Sequence, residues 1–147
     1  MSRTTSRLTL PLLTAFLVAV PLASCAGSDD LANLAQTWTL QTVHDSTLPY
    51  TVPSASHDIM INSAIATLRA DNTYIVSFTG TRDGVAGSVG SDAGDWSITS
   101  STFTFHSAPL NTDYIAALVG STFRATIPGA MVSSSVQDFS MVFAKNP

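Results

Sequence analysis

The sequence predicts an all-β domain in which seven or eight short strands close into a barrel. Apolar and polar residues alternate with period two from Gln36 onward, and turn residues interrupt this alternation about every 8–12 residues. No stretch beyond residue 25 carries a long helical repeat. The chain has 147 residues, of which 45% are hydrophobic and 11% charged, so it should fold as one domain. Serine and threonine together supply 39 residues, which favours strands and turns.

The alternating segments follow one another as a series of hairpins. In the turn 70–73, Asn72 suits a left-handed backbone, and this turn joins a strand that ends at Leu68 to one that begins at Tyr74. The pair Ser100-Ser101 turns the chain between two further strands.

Two segments leave the pattern less clear. Residues 114–119 are apolar on both faces, which is compatible with a buried strand or a short helix. The glycine-rich stretch Gly80–Gly94 has the composition of a flexible hairpin loop.

The alternation also predicts which side chains point into a common interior. Nine of the fifteen are aromatic, and aromatic side chains bury roughly 150–250 Å² each. An open sheet would leave edges that pair with other chains, whereas closure removes them. The predicted inward set is Trp38, Leu40, Leu68, Tyr74, Val76, Phe78, Trp96, Ile98, Phe103, Phe105, Phe123, Ile127, Phe139, Met141 and Phe143.

The first 24 residues have the features of a secretory signal peptide. Arg3 and Arg7 precede an apolar run from Leu8 to Leu22, which is shorter than the roughly 20 residues that span a bilayer. The run ends in Leu22-Ala23-Ser24-Cys25, which resembles the lipobox of bacterial lipoproteins and contains the single cysteine of the chain. We therefore expect lipidation of Cys25; the alternative is ordinary secretory cleavage, for example after Ala26.

Lipidation would divide the chain into three parts. Residues 1–24 would be removed, residues 25–34 would form a tether and residues 35–147 the barrel. Two or three acyl chains on Cys25 suffice for stable membrane anchoring at about 0.8 kcal/mol per buried CH₂. In a Gram-negative host, alanine after the cysteine favours the outer membrane, with the domain facing the periplasm. Residues 25–147 hold four cationic side chains against ten aspartates, a net charge of −6, which argues against nucleic-acid binding.

Several segments together resemble the small bacterial lipocalin-like lipoproteins. The resemblance rests on Trp38-Thr39-Leu40-Gln41-Thr42-Val43, Leu48-Pro49-Tyr50, Leu68-Arg69-Ala70-Asp71-Asn72-Thr73-Tyr74, Gly94-Asp95-Trp96, Phe103-Thr104-Phe105 and Phe143-Ala144-Lys145. It implies an up-and-down barrel of about eight antiparallel strands outside the inner membrane. Asn72 stands where glycine is usual, and the loop from Thr47 to Asp58 is long. The family brings no shared catalytic residues.

An eight-stranded barrel is either filled by side chains or holds one small ligand. If it holds an apolar ligand, long loops at the mouth would admit it near Tyr50 and Gly80–Gly94. The residues that would line the pocket are Trp38, Tyr50, Tyr74, Phe78, Trp96, Phe105 and Phe123. If it is filled, the outer face or the loops would contact an envelope protein, as an inhibitor or an assembly factor would.

The sequence offers little chemistry for catalysis or metal binding. The pairs His44-Asp45 and His57-Asp58 fit exposed turns better than a zinc site, and Asp83, Asp92 and Asp95 match no calcium loop. No G-x-S-x-G motif and no assignable carboxylate pair occurs. We therefore expect neither an enzyme nor a cofactor nor a bound metal.

Overall fold

A computed structural model describes residues 33–53, 57–132 and 137–147 and shows a closed antiparallel barrel of eight strands. The predicted signal peptide, Cys25 and most of the tether lie outside the described residues. The strands in chain order are β1 (Thr37–Val43), β2 (Ser46–Thr47), β3 (Tyr50–Val52), β4 (Ile59–Leu68), β5 (Thr73–Arg82), β6 (Val85–Thr99), β7 (Thr102–Ser107), β8 (Thr112–Val119), β9 (Thr122–Ile127) and β10 (Phe139–Lys145).

The barrel consists of β1 and β4 to β10. Each strand from β4 to β10 pairs with the next one in sequence, β10 pairs with β1, and a pairing of β1 with β4 closes the circle. This closing seam has three residue pairs: Thr37 with Thr67, Trp38 with Ala66, and Thr39 with Ile65. Beyond the seam, the short strand β2 pairs with β1 and β3 pairs with β4.

The two ends of the barrel differ in what they contain. One end, the terminal end, holds both the start of β1 and the end of β10, and the Lys145 amide donates to the Ser121 carbonyl there at 2.9 Å. Trp38 Nε1 donates to the Leu34 carbonyl at 3.3 Å, which fixes the chain before β1 against this end. The opposite end, the distal end, carries the Asp83-Gly84 turn and the connection from β9 to β10.

The interior is apolar, as the alternation predicts. Of the fifteen side chains predicted to face inward, fourteen are buried, and Ile98 is partly buried against them. The alternation identifies them because strand side chains point to opposite faces in turn. Serine and threonine supply much of the outer face, where hydroxyl groups reach water directly.

The predicted turns are confirmed, whereas the prediction of a flexible loop at Gly80–Gly94 is wrong. Asn72 and Ser100 adopt left-handed backbones, with φ of 65° and 58°. Residues 114–119 belong to a strand, β8, and not to a helix. Gly80–Gly94 is no flexible loop, because β5 and β6 run through it and a two-residue turn at Asp83-Gly84 joins them. Asp-Gly is a favoured hairpin turn because both residues must adopt positive φ.

The connection between β9 and β10 approaches the part of β6 that extends beyond the end of its partner β7, from Val85 to Ala93. It contains a short 3-10 turn, Gly129–Met131, and Met131 and Val132 are buried there. A Cβ atom on Gly90 would lie 2.3 Å from the Met131 carbonyl oxygen, so the two backbones touch. In the part of the chain that is described, no helix has the length and apolar character to cross a membrane.

Candidate functional site

The predicted ligand-lining residues fall into two groups. Six of them, Trp38, Tyr74, Phe78, Trp96, Phe105 and Phe123, lie in the interior and are at most 3% exposed. Tyr50 is partly buried and packs against the edge of the core, with its ring centroid 5.9 Å from that of His44 and 6.4 Å from that of Phe139. The structure thus brings six of the seven together and places Tyr50 beside the β1–β2 turn.

All six side chains belong to one core cluster, and five of them, all but Phe78, have ring contacts with other aromatic side chains. The Trp38 and Phe123 rings meet edge to face at 5.0 Å, and Phe123 stacks on Phe143 at the same separation. Phe105 stacks on Tyr114 at 5.1 Å. Aromatic rings favour these geometries, which each contribute about 0.5–1.5 kcal/mol beyond the area they bury.

Packing leaves little free space among these rings. The cavity bounded by Tyr74, Phe105, Tyr114, Phe123 and Phe143 has a volume of about 10 Å³. One water molecule needs about 10–15 Å³, and ligand pockets usually measure about 300–1,000 Å³. An apolar ligand therefore has no room there unless several core side chains move.

A buried carboxylate lies inside the barrel. Asp92 of β6 is 2% exposed and accepts hydrogen bonds from the hydroxyls of Tyr74, of Ser107 at 2.6 Å and of Tyr114 at 3.4 Å. Hydroxyl donors offset part of the cost of burying this group. From the sequence, Asp92 is considered only as a calcium ligand, a role its spacing does not fit, and its burial is missed. The signal was present, because Asp92 precedes Trp96 by four residues and so shares its face.

Burial also changes the acidity of two tyrosines. Burial and the hydrogen bond to Asp92 raise the pKa of Tyr74. Burial, with the nearby charge of Asp92, raises the pKa of Tyr114 as well. Both phenols therefore favour the protonated form in the folded state.

We expect the protein to lose stability as the pH rises above about 10. Both tyrosines have a folded-state pKa above the unfolded one, so their contribution is complete below the unfolded pKa and is lost as pH rises towards the folded one. Urea unfolding at several pH values between about 8 and 11 measures this loss. The double variant Tyr74→Phe with Tyr114→Phe should flatten the curve in this range. A free energy of unfolding that stays constant up to pH 11 in the parent chain would contradict the expectation.

A cleft of about 470 Å³ lies at the distal end of the barrel. One wall is the overhanging part of β6, Ser88–Ser91, and the facing wall is Ala130–Val132. The side chains of Arg82 and His57 complete the lining. The cleft lies in the glycine-rich stretch where the sequence placed a pocket entrance, but Tyr50 does not line it.

The cleft exists because β6 is longer than β7. β7 pairs with β6 only from Gly94 to Thr99, so the half of β6 from Val85 to Ala93 has β5 as its strand partner on one side. Met131 and Val132 approach this overhang instead of a further strand. Arg82 Nη2 links the two walls by donating to the carbonyls of Val89 and Val132, each at 3.2 Å.

Two of the three histidines pair with an aspartate, and the third, His44, does not. His57 Nδ1 lies 2.8 Å from Asp83 Oδ2, and His106 Nδ1 lies 2.7 Å from Asp113 Oδ1. His44 Nε2 is buried and has no hydrogen-bond partner within the described ranges. The same ranges contain no group of three or more His, Cys, Asp or Glu side chains that could hold a metal ion.

Comparison of the chain with protein-family models, with curated proteins and with solved structures found no match. The geometry of the barrel and its distal cleft therefore carries the functional argument.

Proposed function

We propose that the protein is a cell-envelope lipoprotein whose barrel is a protein-interaction module, tethered through Cys25 and recognising its partner at the distal end. The observation that carries this proposal is the close packing of the interior side chains within the described residues. Recognition by a filled barrel takes place on its surface, and the distal end offers the cleft that Arg82 and His57 line.

The filled interior favours this function over transport of an apolar molecule. A carrier of the lipocalin-like kind needs a pocket of about 300 Å³ or more, whereas the cavity among Tyr74, Phe105 and Tyr114 measures about 10 Å³. Opening such a pocket would require several aromatic side chains to leave their contacts. Each of these contacts contributes to stability, so the filled state is the favoured one.

The position of the first described residue, Asn33, supports recognition at the distal end. Asn33 lies at the terminal end of the barrel, where its carbonyl accepts a hydrogen bond from Lys145 Nζ at 3.3 Å. Seven residues lie between Cys25 and Asn33, and the eight steps along the chain reach at most about 28 Å when extended. A lipid on Cys25 would hold the terminal end close to the membrane. The distal cleft would then face away from the bilayer.

A photo-crosslinking amino acid tests where the partner binds. Placed at Ser88 beside the cleft, it should capture one envelope protein in cells that express the lipidated chain. The matched control carries the same group at Ser101, which is also exposed but lies at the terminal end. Equal capture at both positions, or no capture at Ser88, would contradict recognition at the distal end.

A fluorescence titration tests the filled interior. Trp38 and Trp96 lie in the core, so an apolar dye that enters the barrel would quench their emission. We expect no saturable quenching by N-phenyl-1-naphthylamine at dye concentrations of about 10 µM. Saturable quenching with a shift of the unfolding temperature would support the ligand carrier instead.

The tether has its own test. The intact mass of protein extracted from membranes should include two or three acyl chains on residue 25, and Cys25→Ser should abolish this addition. An unmodified thiol in membrane-extracted protein would overturn the anchor but leave the barrel argument in place.

A further inference from the structure

We propose that the distal cleft recognises a carboxylate, which the guanidinium of Arg82 binds. The inference deepens the proposed function by naming the chemistry that a partner would bring to this end of the barrel. It rests on the hydrogen-bond partners of Arg82, on the charges around it and on the size of the cleft.

Arg82 is fixed in place but retains free donors. The Nη2 group donates to the Val89 and Val132 carbonyls, which holds the half-buried guanidinium between the two walls. Within the described part of the chain, the Nε and Nη1 atoms have no hydrogen-bond partner. An arginine that is held through one nitrogen and free at the other two offers N–H donors to an incoming acceptor at little further entropic cost.

Arg82 has a carboxylate nearby, that of Asp83, but forms no salt bridge with it. Asp83 is its neighbour in sequence, but Asp83 Oδ2 lies 2.8 Å from His57 Nδ1 and Asp83 Oδ1 accepts from the Asp58 amide at 3.0 Å. These hydrogen bonds, that of His57 first, and the nearby charges of His57 and Arg82 hold the pKa of Asp83 below its usual value, so this carboxylate stays ionised. No carboxylate of the described residues forms a salt bridge with Arg82.

Within the described residues, Arg82 shares this lack of a salt bridge with Arg69 and Lys145. Aspartates outnumber cationic side chains ten to four beyond residue 24, and Arg124 on the outer surface does pair with Asp45, at 2.7 Å. A partly buried cation without a direct salt bridge carries a desolvation cost that an external anion would offset. The fixed guanidinium thus has N–H donors left for an incoming carboxylate.

The cleft sets the kind of molecule that would carry the carboxylate. The cleft is open to solvent, and its volume of about 470 Å³ lies within the usual range for small-molecule sites. Ser88 and Ser91 line one wall and bring hydroxyl groups to it. The carrier is therefore polar, either the acidic end of a partner protein or a free small carboxylic acid.

Matched peptides test the inference on the full chain in detergent. The first probe is N-acetyl tetra-alanine with a free C-terminal carboxylate, and its twin carries a C-terminal amide. We expect the acid form to bind at least tenfold more tightly by calorimetry and to shift the Arg82 Nε–H resonance. The amide should leave that resonance in place. Equal affinities, or no shift at millimolar acid peptide, would overturn the proposal.

Variants identify the group that recognises the carboxylate. Arg82→Gln should abolish the preference for the acid peptide, whereas Arg124→Gln, which removes an exposed arginine paired elsewhere, should preserve it. Because Arg82 also links the cleft walls, Arg82→Gln is compared at a temperature where its unfolding curve shows it folded. If it does not fold, the Arg82 resonance of the parent chain decides alone. A preference that persists in folded Arg82→Gln would overturn the assignment.

Two comparisons distinguish a free acid from a peptide as the source of the carboxylate, and the carboxylate proposal from the proposal of a protein partner. Succinate that binds as tightly as the acid peptide would place the carboxylate on a free small acid, whereas weaker binding would place it on a peptide. Capture at Ser88 without an acid preference would refute carboxylate recognition alone. An acid preference without capture at Ser88 would refute the proposed protein partner and leave the carboxylate site standing.

Discussion

Replacing Phe103 with alanine is expected to lower the free energy of unfolding by about 3–5 kcal/mol. The Phe103 side chain is fully buried, and its ring lies within 6.4 Å of the rings of Trp38, Trp96, Phe105 and Phe123, measured between centroids. Truncation would remove all four contacts and leave a cavity that the surrounding rings cannot fill. Small domains have about 5–15 kcal/mol of stability in total, so this single change would remove a large share.

Urea unfolding followed by tryptophan fluorescence measures the effect of this change. The control is Ile115→Ala on β8, because the Ile115 side chain is 62% exposed and its truncation should alter stability by no more than about 0.5 kcal/mol. A loss below about 1 kcal/mol for Phe103→Ala would show that the interior is loosely packed. That result would also weaken the case against an internal ligand.

Gly94→Ala is expected to destabilise the barrel by about 3 kcal/mol or more, although it adds a single methyl group. A Cβ atom on Gly94 would lie 1.9 Å from the His106 carbonyl oxygen and 3.1 Å from the Ala108 amide nitrogen. These are backbone atoms of the neighbouring strand and of the turn that follows it, so the contact can be relieved only by separating β6 from β7. The expected result is a lower unfolding temperature or a failure to fold.

The matched control for Gly94→Ala lies in the same strand. Gly87→Ala places a Cβ atom where nothing lies within 4 Å, so it should be tolerated. It should even stabilise the protein by up to about 1 kcal/mol, because alanine restricts the unfolded chain more than glycine does. Thermal unfolding of both variants side by side is sufficient. Equal unfolding temperatures for the two would contradict the close approach of β6 and β7 at Gly94.

The barrel could be predicted from sequence because its physical cause is local. Strand side chains alternate between the two faces, so the spacing of Trp38 and Leu40, or of Tyr74 and Phe78, states directly which residues share an interior. The turn at Asn72 could be predicted for the same reason, since asparagine tolerates the left-handed backbone that its position requires. Neither inference needs knowledge of distant contacts.

The Gly80–Gly94 segment shows where this reasoning fails. Its glycines suggested flexibility, but Gly80 and Gly94 are required because another backbone passes within 2 Å of where their Cβ atoms would lie. Composition alone cannot distinguish a glycine that permits motion from one that permits close packing. The distinction depends on strands that come from elsewhere in the chain.

The candidate site was accessible to sequence reasoning only in part. The two-residue alternation of strand side chains places Asp92 on the same face as Trp96, although a charged residue is not expected in the interior. The cleft could not be predicted, because it arises from the different lengths of β6 and β7 and from the path of Ala130–Val132. Lipidation of Cys25 stays a prediction, since this residue lies outside the described part of the chain.

The seam between β1 and β4 gives the barrel an uneven resistance to opening. Three rungs, from Thr37 to Thr39, close the cylinder there, whereas β4 and β5 share nine. Partial unfolding tends to start where few backbone pairs must break at once. Thermal fluctuations should therefore break the β1–β4 pairing first and convert the closed barrel into an open, curved sheet whose other strands stay hydrogen-bonded. The core would then be exposed briefly from one side, and amide protons along that seam would exchange with solvent before those deeper in the β5–β6 ladder.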